Sequence, residues 1–410
     1  PMNLIGGYTW RNSHKRISVG YPGLLQWVQF NTLQGWLLNV NPEFSRYDDE
    51  EGRIRYWRAE GNLNYGFSET TLRGSLRLRR RFEGIHYKTG EISGGSGTEQ
   101  FNARNPIGPA LNDLYTLYGK RNYLKIYEKR FAQAAWEQHL MPGLWLRAST
   151  EWAQRNPLVN HSAFSLNKKN ERPYTPNAPL TGGSEPAFAS NEIFALSLSA
   201  RIRIGEQYSS YPTHREYEPS GWPEITLLYR KAIAGVLGSD ADYDYVQAQV
   251  RKSNIALGLA GYSELQVIGG AFLSDRRVEF MDLRHAQGNQ TWFGKPNQYD
   301  RAFFLLPYYD YSTSRPFVEA HWQHHLQGWL LDKIPGLRKL NLKEVFGANV
   351  YYTDRSVSDG LRPERLPYWE LNFGLENIGI GFLRALRLDV ATGFFGTEHY
   401  RTGLVLGVGL

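Results

Sequence analysis

The chain has 410 residues, 47 Lys and Arg against 40 Asp and Glu, a formal net charge of +7, no cysteine, and 14% aromatic residues. Mean hydropathy is −0.50, and no apolar run approaches the roughly 18 residues that a membrane-spanning helix requires, so a helical membrane protein is excluded. Without cysteine there are neither disulfides nor thiolate metal sites.

A polar chain with 26 Tyr, 12 Trp and 20 Phe fits an outer-membrane barrel, where half of each strand faces a wet lumen and aromatics gird both interfaces. A soluble β-sandwich, solenoid or propeller is the competing class. The basic balance permits nucleic acid or anionic lipid as a partner. Lys and Arg are dispersed along alternating segments rather than clustered, so no nucleic acid is expected.

The opening PMNLIGGYTW has no basic region, apolar stretch and cleavage site of a secretory signal. Residues 1–23 are read as a lead-in segment and 24–410 as the barrel. Strands have a side-chain period of two, and the first clear case sets Trp36, Leu38, Val40, Pro42 and Phe44 against Asn39, Asn41, Glu43 and Ser45. Trp57, Ala59, Leu63, Tyr65 and Phe67 then alternate with Arg58, Glu60, Asn62 and Asn64.

The next strand sets Leu72, Leu76 and Leu78 against Arg73, Ser75, Arg77 and Arg79, with Arg81 following on the arginine face. If the leucines meet lipid, the arginines line a lumen where water and acidic neighbours satisfy them. A solvated sheet face is the plainer reading. The same pattern returns with Leu196, Leu198, Ala200 and Ile202 against Ser197, Ser199, Arg201 and Arg203, and with Leu386, Leu388 and Val390 against Arg387 and Asp389. Further strands are expected near 84–95, 123–138, 142–156, 223–233, 244–259, 262–275, 301–312, 315–327, 341–354 and 366–378. The expected fold is all-β, a transmembrane antiparallel β-barrel of about sixteen strands whose long loops carry short helices.

Short turns are expected at Glu83 and Gly84, Pro142 and Gly143, Gly261, and Thr313 and Ser314; long connections occupy about 96–122, 157–189, 207–221 and 276–300. Residues 109–119 and 330–340 have helical patterns, the second broken by Pro335. In the 276–300 loop, Asp282, Arg284 and Asn289 are candidates for a constriction folded into the lumen, with Arg284 pairing with a wall carboxylate. A surface loop is the alternative.

His321, His324 and His325 resemble a metal cluster. On a strand, however, His321 and His325 share a face with Glu319, Gln323 and Gln327, and positions four apart lie about 13 Å from each other. A lumen-facing polar network with Glu319 is therefore expected, and no metal. Asp240, Asp242 and Asp244 suggest a calcium loop, but the Gly and Glu that should follow are missing. No hydrolase, Walker or dinucleotide motif occurs, so no catalytic role and no cofactor are expected.

At the C-terminus, Leu404, Leu406, Val408 and Leu410 form one face and Gly403, Gly407 and Gly409 lie on the other. The aliphatics are expected to face lipid at the seam, with closure onto the strand near 36–44. The glycines leave room for a lumen loop or a bent strand.

Five segments carry a family resemblance: FNTLQGW at 30–36, RNYLKIYEK at 121–129, GSDADYD at 238–244, GNQT at 288–291 and the run from PYYDYSTSRP to LNLKEV at 307–345. Together they resemble an uncharacterised family of Bacteroidota-type outer-membrane proteins that often follows a carboxypeptidase-regulatory-like domain. The resemblance implies a distant relation to the bacterial surface antigen superfamily, whose sixteen-stranded barrels insert or secrete outer-membrane proteins. The superfamily's Val-Arg-Gly-Phe loop motif and periplasmic repeats are not seen, and the family's N-terminal soluble domain is read as absent, which suggests a fragment. The expectation is an integral barrel of the bacterial outer membrane, contacting lipid and lipopolysaccharide and joining other outer-membrane or periplasmic proteins in a complex for outer-membrane protein biogenesis or transport. The alternative is an accessory or structural barrel associated with TonB-dependent nutrient uptake.

Overall fold

The computed structural model describes residues 7–408 apart from 24–26, 49–54, 83–86, 169–171, 181–182, 212–213, 219, 295–300, 355–366 and 382. The turn at Glu83 and Gly84 and the terminal Leu410 lie outside the described residues. Two compact units are present: residues 1–221, 228–244 and 274–281 form the first, and 222–227, 245–273 and 282–410 the second.

The first unit opens with β1 (Tyr8–Asn12), β2 (Ile17–Tyr21), β3 (Val28–Asn31), β4 (Gly35–Val40) and β5 (Glu43–Tyr47). Then come β6 (Tyr56–Gly66), β7 (Thr71–Arg81), β8 (Thr89–Gln100), helix α1 (Pro109–Leu117), β9 (Ile126–Met141), β10 (Leu144–Asn156) and β11 (Asn191–Arg203). A short hairpin follows, β12 (Tyr208–Ser210) with β13 (Arg215–Tyr217). The pairings given for these strands are antiparallel, and successive strands from β6 through β11 pair with one another.

β4 and β5 both pair with β6, while β3 pairs with β4 and β2 with β5. Two strands are thus each broken in two. Pro42 sits at one break, where proline's missing N–H cannot continue a ladder. The ladder begins before residue 24, because β2 in the lead-in segment is one of its strands. Closure onto residues 36–44 is corrected for the same reason: both edges of β4 and β5 are already occupied, so neither can receive a terminal strand.

β14 (Glu224–Ala232), β15 (Asp242–Ala256) and β16 (Tyr262–Arg277) come next. In the second unit β16 pairs with β19 (Phe317–His325), and β19 with β20 (Lys343–Thr353). β21 (Tyr368–Ile380), β22 (Leu383–Phe395) and β23 (Glu398–Val408) complete that ladder. Between β16 and β19 lie β17 (Arg284–His285) and β18 (Ser312–Thr313), a two-residue pair. Between β19 and β20 lies the single-turn α2 (Pro335–Arg338). Among the described residues the main sheet has 19 strands, β1 pairing with β2 among them; with the two broken strands each counted once this leaves seventeen, close to the expected count of about sixteen.

Burial is inverted relative to a soluble sheet. In β7, Leu72 is 68% exposed and Arg73 only 2%. Leu63, Leu76, Ile92, Leu198, Leu371, Leu386 and Leu404 are exposed, whereas Glu91, Arg155, Glu319, His321, Glu370 and Asp389 are buried. Water would penalise such an apolar surface, and an aqueous fold has no reason to bury that row of charge. The fold is all-β, a transmembrane antiparallel β-barrel, the arrangement that lets every strand satisfy its backbone in lipid.

Of residues 301–312, expected as a strand, 301–311 are instead a loop and only Ser312 is in a strand, β18. The loop's apolar run Phe303–Leu306 is buried, and the N–H groups of Phe304 and Leu305 go to the Glu370 carboxylate rather than to a neighbouring strand.

Candidate functional site: a loop pinned to a polar strand face

Alternation along β19 directs Glu319, His321, Gln323 and His325 to one buried face and Val318, Trp322 and His324 to the other. From Glu319 a continuous polar network runs across three strands. Its Oε1 meets His321 Nε2 at 3.0 Å, and His321 Nδ1 meets Asn349 Oδ1 of β20 at 2.8 Å. Asn349 Nδ2 donates to Glu370 Oε1 of β21 at 2.9 Å, and the Tyr368 hydroxyl donates to Glu370 Oε2 at 2.8 Å.

Both ends of the network grip the central loop. Arg284 forms an ion pair with Glu319 and stacks 4.8 Å over the Phe317 ring. At the other end, Glu370 accepts the N–H of Phe304 at 2.5 Å and of Leu305 at 3.1 Å. The carboxylates therefore bind loop backbone and loop cation together. Around them Phe303, Leu306 and Tyr311 of the loop pack with Ile268, Phe317, Tyr351, Tyr368 and Phe395.

The loop also reaches the terminal strand. Leu305 packs with Ala391 and Val405, and a Cβ on Gly403 would lie 2.9 Å from Leu305 Cδ2. Arg401 donates to the Leu305 carbonyl at 2.6 Å. Further on, Leu406 donates to the Trp292 carbonyl and accepts from Gly294, both at 2.7 Å, which makes a parallel bridge between Phe293 and β23. The edge of β23 not facing β22 is thus bound by the chain's own loop.

Of the remaining constriction candidates, Asn289 organises the loop internally, accepting from Thr291 N–H and hydroxyl at 2.9 and 2.8 Å. Asp282 lies in a single 3-10 turn before Arg284. Arg387 and Asp389 bond to each other at 2.7 and 2.9 Å, with Gln323 and Asn372 as further partners. His325 reaches Glu376 at 3.0 Å, while His324, on the opposite face, bonds Ser263. Leu404 and Leu406 are exposed on β23, and the backbone of Val408 pairs with Leu386.

In the first unit Arg73 is clamped by Glu69 and Glu128. Arg77 lies 3.3 Å from Glu60 and 3.6 Å from Glu91, and Arg79 is 2.8 Å from Glu91. Arg203 meets Glu206, whereas Arg201 lies over the Trp145 ring. Asp240, Asp242 and Asp244 each face a separate cation, Arg277, Arg276 and Lys231. Among the described residues no group of three or more His, Cys, Asp or Glu is placed to hold a metal.

Loops cover one end of this unit through buried amides that sequence reading missed. Asn112 holds Asn122, Asn122 holds Thr32, and Thr32 holds Asn160. Asp113 of α1 accepts the Phe30 N–H, and burial pushes its carboxyl up to about 7. Burial pulls the Lys125 amine down to about 8, against the opposing pull of Glu185. Lys125 donates to Thr175 Oγ1 at 3.0 Å and to the Pro176 carbonyl at 2.6 Å. Asn and Thr at loop positions ordinarily signal turns, so nothing local marked these as buried.

Residues 2–375 match the model described as the C-terminal domain of a family of unknown function (DUF5686). The chain belongs to this family. This DUF5686 domain is similar in fold to BamA from Haemophilus ducreyi lacking POTRA domains 1–3, at 11% identity and TM-score 0.48, over 98% of this chain and 75% of that one. It is similar to CdiB from Acinetobacter baumannii at 10% identity and TM-score 0.42, over 92% of this chain and 57% of CdiB. For the outer membrane protein OpdK from Pseudomonas aeruginosa the identity is 10% and the TM-score 0.33, over 95% and 96% of the two chains. No curated protein matches the chain.

Proposed function

We propose that the chain is a non-catalytic barrel of the bacterial outer membrane that acts in outer-membrane protein biogenesis or transport within an envelope complex, surrounded by lipid and lipopolysaccharide. The observation carrying this reading is the occupied polar face of the second unit. Arg284 and the backbone of Phe304 and Leu305 fill it through buried contacts, which a passive channel would need to keep wet. The same loop holds the edge of β23 by two backbone hydrogen bonds, an attachment weak enough to release a pairing edge.

The test is depletion of the protein in its native host, with quantitative proteomics of the outer membrane and planar-bilayer recording of the purified chain. A fall in many other barrels without steady conductance supports the proposal. Unchanged barrel levels together with steady ion conduction would replace it with a passive channel. Loss confined to TonB-dependent nutrient uptake would replace it with an accessory role.

A further inference from the structure

At the end of the first unit marked by Pro142 and Gly143, the described residues of the polar face include both paired arginines and arginines without a carboxylate. Arg79, Arg147 and Arg203 have acidic partners there: Glu91 at 2.8 Å, Glu137 at 3.4 Å and Glu206 at 3.4 Å. Arg81, Arg201 and Arg215 have no carboxylate partner among the described residues. Each lies on an aromatic ring instead: Arg81 is 4.9 Å from Tyr87, Arg201 is 4.9 Å from Trp145, and Arg215 is 4.4 Å from Tyr208.

Those rings form one floor. Tyr87 meets Trp145 at 5.5 Å and Tyr217 at 5.8 Å, and Tyr217 meets Tyr208 at 5.8 Å. The β12–β13 hairpin is fastened in place, because Tyr217 bonds His139 at 2.5 Å and the Tyr87 hydroxyl donates to the Arg215 carbonyl at 2.5 Å. The nearby Glu206 is already engaged by the Gly143 N–H at 2.7 Å and by Arg203. The buried Nε–H groups of Arg81 and Arg201 and the Trp145 indole N–H have no acceptor among the described residues.

Unmatched buried donors cost free energy, and three guanidiniums held over rings, one of them also bonded to the Tyr217 hydroxyl, have further N–H donors to offer an acceptor. One carboxylate cannot satisfy so many donors, whereas phosphate oxygens pair with guanidinium edges two at a time. We infer that Arg81, Arg201 and Arg215 form a binding site for a phosphate-bearing anion, supplied either as a soluble polyphosphate or as the headgroup of a phosphorylated lipid.

The experiment is calorimetric titration of the full detergent-solubilised chain with inorganic pyrophosphate, beside reconstitution into discs of phosphatidylglycerol or phosphatidylcholine. Saturable pyrophosphate binding, weakened at least tenfold in the R81Q/R201Q double variant and unchanged in R276Q, is the expected result. Saturable retention of phosphatidylglycerol alone, lost in the same double variant, assigns the site to a lipid headgroup. Equal affinity in wild type and double variant, or no saturable binding of either probe, overturns the inference. Heat-modified gel migration checks that the variants fold, and R81K/R201K, which keeps the charge but not the fork, is expected to bind with intermediate affinity.

Discussion

Arg284 of the central loop and Glu319 of β19 form an ion pair whose carboxylate is wholly buried and whose guanidinium is nearly so. Removing one partner leaves a buried charge without compensation, which costs about 3–5 kcal/mol. Arg284→Ala is therefore expected to loosen the loop strongly, read as new cleavage by protease within residues 286–294. Arg284→Met combined with Glu319→Gln is expected to recover most of the protection. Equal protection of Arg284→Ala and wild type would show that the pair does not hold the loop.

The chain has no cysteine, so a single engineered pair reports cleanly. Phe293 bridges Leu406 in parallel, and paired strands lie about 4.8 Å apart, within the Cα separation a disulfide tolerates. Phe293→Cys with Leu406→Cys is expected to oxidise spontaneously and shift gel mobility, reversed by reductant. Failure to cross-link in the folded protein contradicts the bridge.

Gly403 faces Leu305, and a Cβ there would lie 2.9 Å from its methyl group. Gly403→Leu is expected to push Phe304 and Leu305 away from Glu370 and expose the loop to protease, while Leu404→Ala, on the opposite face, leaves it protected. If both variants resist protease equally, the glycine does not set the loop's seat.

Leu76 is half exposed on the apolar face of β7. In liposomes, Leu76→Arg is expected to lower unfolding stability in urea by about 2–4 kcal/mol if the position lies near the midplane. A loss under about 0.5 kcal/mol rules against a lipid-facing position near the midplane.

Asp113 sits well above its ordinary value of 3.8, at about 7, because it is buried. A carboxyl raised on folding contributes stability that is present below its unfolded pKa and lost as pH rises through its folded pKa. The loop cover is thus expected to weaken between pH 4 and 7, with Asp113→Asn flattening that dependence. Lys125, lowered to about 8, runs the other way: its contribution is present above 10.5 and lost as pH falls through 8. Hydrogen exchange of residues 109–125 against pH checks both signs.

The alternation of Leu72 to Leu78 with arginine was enough to orient β7, because a period of two leaves only two faces and lipid accepts one of them. Arg284 could be marked as a loop cation seeking a carboxylate, yet neither Glu319 nor Glu370 could be matched to a loop atom, since inter-strand register is set by tertiary packing. Residues 301–312 misled for a related reason. A short apolar run reads alike as a strand or as a buried loop until the fate of its N–H groups is known. The grouping of Arg81, Arg201 and Arg215 over linked aromatic rings was equally hidden, as it depends on a hairpin carrying Arg215 to strands far away in sequence.

Trp292, which holds the edge of β23, and Phe304, which is held by Glu370, belong to the same loop. Occupancy of that edge and occupancy of the polar face are consequently linked equilibria, and linkage is reciprocal. A strand that competes for Leu406 would lower the loop's affinity for Glu370, and a ligand that competes for Glu370 would ease access to Leu406 by the same factor. Freeing the loop from Glu370 is therefore expected to ease its release from Leu406, and the reverse.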